Sequence, residues 1–219
     1  MQIITTQDGS HTLFSEAFNE IYHSRYGAIQ EGMHVFIKSG LEHLNLPTLK
    51  IFEVGFGTGL NALLTMIEAD KREIKIEYET IELYPVPIET IKELNYTRQP
   101  GYEFCYVPYH TLHLCAWNES HEVTPNFRFK KINKSLLSYS PSVNSYSLIY
   151  FDAFAPTHQA EMWTKEIFRK LFDSLLPNGI LVTYCSKSSV QYAMREAGFT
   201  IEKLQGPPGK REMLRARKQ

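Results

Sequence analysis

A mostly apolar run, Leu49-Lys50-Ile51-Phe52-Glu53-Val54, leads straight into Gly55-Phe56-Gly57-Thr58-Gly59. Behind the glycines, Leu60-Asn61-Ala62-Leu63-Leu64 opens a helical pattern. A buried strand, a glycine turn and a helix in that order constrain the fold more than any other stretch of the chain. Glycines let the backbone bend tightly and approach a ligand with no Cβ in the way. The helix behind them offers unpaired N–H groups to polar ligand atoms. The unit reads as the entry to a nucleotide-type cofactor site in a doubly wound α/β fold.

The spelling of the turn separates two cofactor classes. A dinucleotide fingerprint, G-x-G-x-x-G, places its third glycine where the helix packs on the strand. Leu60 holds that position here, and the third glycine comes one residue early, as Glu53-x-Gly55-x-Gly57-x-Gly59. An acid followed by three alternating glycines after a first strand resembles the S-adenosylmethionine loop of class I methyltransferases. Leu60 therefore disfavours a nicotinamide oxidoreductase.

Further units follow by alternation. Ile74–Glu82 has period two and leads to a helix-like Val86–Leu94, and Phe127–Ile132 reads as a third strand. Ser147–Asp152 is apolar almost throughout, the mark of a strand buried on both faces. Trp163, Ile167, Phe168, Leu171, Phe172 and Leu175 form one helical stripe that Pro177-Asn178-Gly179 is expected to stop. Gly179–Tyr184, a helix over Ser189–Ala197, and the strand pair Thr200–Leu204 and Glu212–Ala216 around Gly206-Pro207-Pro208-Gly209 complete the pattern. Strand–helix alternation of this kind predicts a mostly parallel sheet with helices on both faces. The closing strand pair is similar to the end of the Rossmann-like class I methyltransferase fold, which implies seven strands.

Ahead of this domain, residues 1–46 are expected to form an N-terminal extension packing over the site, with a hairpin-like start and a helix on Ile29, Met33, Phe36, Ile37 and Leu41. Tyr22-His23-Ser24-Arg25-Tyr26-Gly27 is a polar, aromatic loop over the site. Residues 47–219 form the methyltransferase domain as one unit, and about 95–126 is irregular enough to be an insertion.

Composition narrows the setting. The chain has 219 residues, 43% hydrophobic and 21% charged, as an ordinary globular protein does. No apolar run approaches the roughly 18–20 residues that span a bilayer. The N-terminus lacks a basic start and an apolar signal core. Three cysteines without a C-x-x-C pair point to a reduced, cytoplasmic setting. The net charge is −1, yet the tail from Lys203 carries six Lys/Arg against Glu212 alone. That tail is a phosphate-binding patch or a solvated charge run.

Two carboxylates carry the chemistry. Glu82 closes the second strand, where an acid accepts hydrogen bonds from ribose hydroxyls; otherwise it is a solvent-facing strand end. Asp152 closes the fourth strand in Asp152-Ala153-Phe154-Ala155-Pro156 and is the candidate catalytic residue. It would orient an acceptor amine and hold or take its proton, while transfer relies on in-line positioning. Its alternative is a cap on the following turn. Cys105, His110, His113, Cys115 and His121 match no usual zinc spacing, so no metal is expected and the stretch reads as an aromatic, histidine-rich substrate loop.

Several blocks together are more discriminating than the glycine turn. Phe56-Gly57-Thr58-Gly59-Leu60-Asn61, Asp152-Ala153-Phe154-Ala155-Pro156 with Met162-Trp163-Thr164, and Ala197-Gly198-Phe199-Thr200 with Lys210-Arg211-Glu212-Met213-Leu214 resemble the MnmC-type family. Tyr22-His23-Ser24 through His34-Val35-Phe36-Ile37 is similar to its N-terminal region. This family is the methyltransferase domain of a bifunctional tRNA wobble-uridine modification enzyme, also found as a stand-alone, MnmD-like protein. The resemblance implies S-adenosyl-L-methionine-dependent methylation of 5-aminomethyl-2-thiouridine to 5-methylaminomethyl-2-thiouridine in tRNA. A small-molecule methyltransferase is the alternative, and a non-catalytic scaffold is disfavoured by the intact glycine loop and carboxylates. Within that reading, Glu53, Gly55, Phe56, Gly57, Thr58, Gly59, Asn61, Glu82, Asn133 and Asp152 are the candidate cofactor contacts. Tyr22, His23, Phe154, Pro156, Lys210 and Arg211 are the candidate substrate contacts. Class I enzymes often hold adenine with an acid after the third strand; Lys131-Ile132-Asn133-Lys134-Ser135-Leu136 has none, and Asn133 is the substitute. The length leaves no room for the family's flavin-binding domain, so a separate oxidoreductase is expected to act upstream.

Overall fold

Three short antiparallel strands open the chain: β1 (Gln2–Thr5), β2 (His11–Ser15) and β3 (Glu20–Ile21). The structure, a computed structural model, describes residues 1–219. Asp8 shapes the β1–β2 turn by accepting hydrogen bonds from the Thr6 hydroxyl at 2.7 Å and the Ser10 N–H at 3.0 Å. Its other oxygen accepts from the Gln30 N–H at 3.0 Å and ties the hairpin to the following helix.

That helix begins as Ala28–Gly32 and widens into an i→i+5 spiral over Met33–Leu41. The widening rotates the expected stripe. Val35, Phe36, Ile37 and Leu41 are buried, whereas Ile29 and Met33 are only half-buried.

The main sheet comprises β4 (Thr48–Val54), β5 (Lys75–Ile81), β6 (Ser120–Thr124), β7 (Phe127–Ile132), β8 (Tyr146–Phe151), β9 (Leu175–Thr183), β10 (Thr200–Gln205) and β11 (Glu212–Arg217). Their order is β10-β11-β9-β8-β4-β5-β7-β6. β4, β5, β7, β8 and β9 are mutually parallel; β6 at one edge and β11 beside β9 run against them, and β10 pairs antiparallel with β11 at the other edge. The sheet has eight strands rather than the seven expected. The extra one, β6, comes from residues 95–126, which also hold the helix Tyr106–Leu114 and are not the irregular insertion anticipated.

Side-chain alternation along the strands builds two cores. Ile51, Tyr78, Phe129, Tyr150 and Val182 face the Met33–Leu41 spiral and the helix Leu60–Arg72. Phe52, Val54, Ile149, Phe151 and Leu181 face the helices Lys165–Ser174 and Ser188–Glu196. Thr164 caps the first of these by accepting the Ile167 N–H, and Ile167, Phe168 and Leu171 form its buried stripe. Trp163 belongs to the preceding short turn, Ala160–Trp163. Pro177-Asn178-Gly179 does not stop the helix, which already ends at Ser174. Those residues bulge out of β9, whose pairing with β8 jumps from Tyr146↔Leu175 to Leu148↔Ile180.

The strand order reverses between β4 and β8, and the carboxyl ends of β4, β5 and β8 meet there. A topological switch point is where open α/β sheets bind ligands.

Candidate active site

The glycine turn is welded to the end of β8. The Asp152 N–H donates to the Val54 carbonyl at 2.9 Å, and the Gly55 N–H donates to Ile81 at 3.1 Å. Gly55 has φ +91°, and a Cβ there would lie 2.6 Å from the Asp152 carbonyl oxygen. Only glycine permits this conformation at that separation. Sequence thus fixes the approach of the loop that follows β4 to the loop that follows β8.

Thr58 anchors the turn from behind. Its carbonyl accepts from the Tyr109 hydroxyl at 2.8 Å and lies 3.1 Å from His113 Nε2, and its hydroxyl accepts from Tyr96 at 3.2 Å. The aromatic, histidine-rich stretch therefore supports the turn and does not reach the acceptor side. Burial holds the His113 imidazole down to about 3, with the Lys131 charge acting in the same direction. His110 and His121 likewise sit against backbone carbonyls.

In front of the turn lies a cavity of about 440 Å³, within the usual size range for small-molecule and cofactor sites. Gly55, Phe56, Gly57, Thr58, Asn61, Glu82 and Asp152 line it, as do Tyr22, His23, Phe154 and Lys210. Glu82 sits just past β5; one carboxylate oxygen accepts the Gly57 N–H at 3.1 Å and the other the Tyr84 N–H at 2.8 Å. Each oxygen keeps a lone pair for a ligand hydroxyl.

Asp152 accepts a hydrogen bond from Asn61 Nδ2 at 2.8 Å. Burial is the main cause that lifts its carboxyl to about 7; the Glu31 charge adds to the rise, and Asn61 and Lys210 oppose it. The group is therefore poised to exchange a proton near neutral pH.

Five expected contacts stand away from the cavity. Glu53 is fully buried on β4, one residue before the strand end, where alternation turns it to the face of Ile51, among Tyr78, Thr80 and Asn61 rather than in the cavity. Burial is the largest cause that raises it to about 8, with Asp152 adding to the rise. Gly59 lies behind the turn, where a Cβ would meet His113 Nε2 at 2.7 Å. Asn133 spends its amide on the Glu82 carbonyl at 2.9 Å, clasping β5 to β7 while Lys134, Ser135 and Leu136 line the cavity. Pro156 turns away from the cavity although Ala155 and Gln159 on either side of it line it, and Arg211 is exposed past the last turn.

The mouth is aromatic. Phe18 stacks on Phe154 with centroids 4.6 Å apart, Tyr22 meets Phe154 edge-on at 5.0 Å, and Phe18 lies 5.8 Å from Tyr84. His23 is neutral, lowered to about 4 chiefly by burial, and its ring lies between the Thr12 and Thr58 hydroxyls. It tethers the opening sheet to the glycine turn. Lys210 turns inward: its ammonium pairs with Glu31 at 2.5 Å and lies 3.9 Å above the Tyr184 ring. Sequence reasoning missed Phe18, Glu31 and Tyr184. Glu31 did leave a signal, as an acid one helical turn before buried Val35.

Residues 110–219 match the model of a family described as S-adenosyl-L-methionine-dependent methyltransferase. The chain belongs to this methyltransferase family. Its fold and cofactor class are thereby those expected from the glycine turn. The methyltransferase is 28% identical to the tRNA 5-methylaminomethyl-2-thiouridine biosynthesis bifunctional protein MnmC of Burkholderia thailandensis, over 97% of this chain and 34% of the relative. It is 29% identical to the protein of the same name from Azoarcus sp. (strain BH72), over 96% and 34%. The chain thus spans about a third of the length of the curated relatives it matches. The solved structure of MNMC2 from Aquifex aeolicus superposes with a TM-score of 0.75 at 22% identity, covering 98% of this chain and 69% of that one. That likeness shows a shared fold.

The residues of this methyltransferase fit S-adenosyl-L-methionine. The glycine turn leaves room for backbone approach, Glu82 offers free lone pairs at the strand end, and the cavity has the required scale. No helix of the chain is long and apolar enough to cross a membrane.

Proposed function

We propose that this methyltransferase transfers a methyl group to the exocyclic amine of 5-aminomethyl-2-thiouridine at the wobble position of tRNA, forming 5-methylaminomethyl-2-thiouridine. The names of the relatives that align with nearly the whole chain support this substrate. The observation that carries the chemistry is Asp152, held by Asn61 beside the glycine turn and facing an aromatic-rimmed cavity.

When bound, S-adenosyl-L-methionine supplies an electrophilic methyl group on a sulfonium. Glu82 would hold its ribose hydroxyls. Asp152 accepts a hydrogen bond from the acceptor amine, orients its lone pair and takes the proton that must leave for nitrogen to attack. A carboxyl poised near 7 suits that exchange. Phe18, Tyr22, Tyr84 and Phe154 stack against a base taken out of its own stack. A separate oxidoreductase acting upstream belongs to the same proposal, as does a cytoplasmic setting.

One observation favours a small-molecule amine as acceptor instead. Half of the six cations of the basic tail are ion-paired within the chain: Lys203 to Glu212, Arg215 to Glu202 and Lys210 to Glu31. Incubating undermethylated tRNA with protein and S-adenosyl-L-methionine, followed by nucleoside analysis, separates the readings. Methylaminomethyl-thiouridine is the expected product, and its absence overturns the tRNA reading.

A further inference from the structure

We propose that Glu31 and Lys210 are opposed positioning residues that set the ionisation of Asp152. The inference rests on the reading of Asp152 as the proton acceptor for the amine.

Both charges reach the surroundings of Asp152 through its neighbours: Gly32, next to Glu31, packs on Asn61, the Asp152 partner, where a Cβ would lie 3.3 Å from Asn61 Oδ1. Glu31 is 7% exposed; one of its oxygens accepts the Ser24 N–H at 2.7 Å and the other pairs with Lys210 Nζ at 2.5 Å. The Lys210 ammonium lies over Tyr184, whose hydroxyl donates at 2.9 Å to the carbonyl of Ala153, the residue next to Asp152. All four side chains line one cavity. The pair is also held in place. Lys210 follows Gly209, whose φ of +84° leaves its missing Cβ position filled by the Tyr26 ring, so the turn bearing Lys210 packs on the loop bearing Ser24.

The other groups facing Asp152 cannot do the same work at neutral pH. Glu53, from β4, is protonated there, because burial raises it to about 8. Tyr78 from β5 and Tyr184, just past β9, are pushed well above their usual range by burial. Asn61 is neutral. Among the charged side chains that line the cavity, Glu31 and Lys210 act on Asp152 with opposite signs: Glu31 raises its carboxyl and Lys210 lowers it. An ion pair serving only to staple two loops would leave Asp152 indifferent to either member.

The chain has four aspartates, so selective ¹³C labelling gives four carboxyl signals, and loss of one in Asp152→Asn assigns Asp152. In Glu31→Gln, which keeps an acceptor for Ser24, the Asp152 titration midpoint should fall by about half a pH unit or more. In Lys210→Met it should rise by about as much, Lys210→Arg should restore it, and the double variant Glu31→Gln/Lys210→Met should return close to the parent. The acid limb of kcat/KM for tRNA should move in the same directions. Midpoints unmoved in both single variants overturn the proposal. So does a limb that stays fixed while the midpoints shift. If midpoints shift but no variant, parent included, methylates tRNA, the substrate reading fails while the electrostatic pairing stands.

Discussion

Asp152 is gripped by its backbone at Val54 and by its carboxylate at Asn61, so its position survives loss of its charge. Asp152→Asn should lower the single-turnover rate by about 10²–10⁴-fold, the usual weight of a general base. Calorimetry should find S-adenosyl-L-methionine binding changed little; loss of both together would make Asp152 a binding residue. Glu53 makes a separate prediction. Its folded value of about 8 exceeds the ordinary 4.5, so the folded chain holds that proton more tightly than the unfolded one. The resulting stability is complete below about pH 4.5 and is lost as pH rises towards 8. Glu53→Gln should flatten the dependence of stability on pH across that window, as read by urea unfolding at a series of pH values. An unchanged slope would mean that Glu53 is not protonated in the fold.

At the scale of elements, the helix Tyr106–Leu114 supports the glycine turn from behind. It was hidden in the sequence for a physical reason. Only Tyr109 and Leu112 among its nine residues are buried, so no stripe appears, and Pro108 sits in its first turn, where a missing N–H costs nothing. β6 escaped notice likewise, because an edge strand with no fully buried residue has no alternation to read. By contrast β7 runs from Phe127 to Ile132, the bounds its alternation predicted, with Phe127 and Phe129 buried on one face. Tyr109→Phe removes one donor from the Thr58 carbonyl and should cost about 1 kcal/mol in urea unfolding. It should also weaken S-adenosyl-L-methionine binding, measured by calorimetry. Full affinity at reduced stability would make the helix a fold support only.

For the whole molecule, the charge arrangement limits how tRNA can be held. The tail that looks basic in sequence is partly neutralised in the fold, where Lys203, Lys210 and Arg215 have carboxylate partners and Lys218, just past β11, donates to Asn144 and to backbone carbonyls. Arg211 is exposed and has no such partner. The proposed tRNA complex should therefore depend weakly on salt, with a log–log slope of only about −2 to −4. Arg211→Ala should reduce that slope by about 1, as read from binding at several salt concentrations. A steep slope, or one unaffected by Arg211, would place the phosphate contacts elsewhere.

The glycine turn, the cofactor class and the parallel sheet were legible in the sequence because they rest on local rules. A left-handed backbone next to another chain segment requires glycine, and strands buried on both faces require unbroken apolar runs. The placement of Asp152 and Glu82 beside one cavity was legible for a related reason, since strand ends in this topology converge on one edge. The tertiary structure alone decided which charges act there. Glu31 and Lys210 are 179 residues apart in sequence yet share one hydrogen bond beside Asp152. Their meeting depends on the packing of the opening loop on the last turn, and no periodicity along the chain encodes a contact of that span.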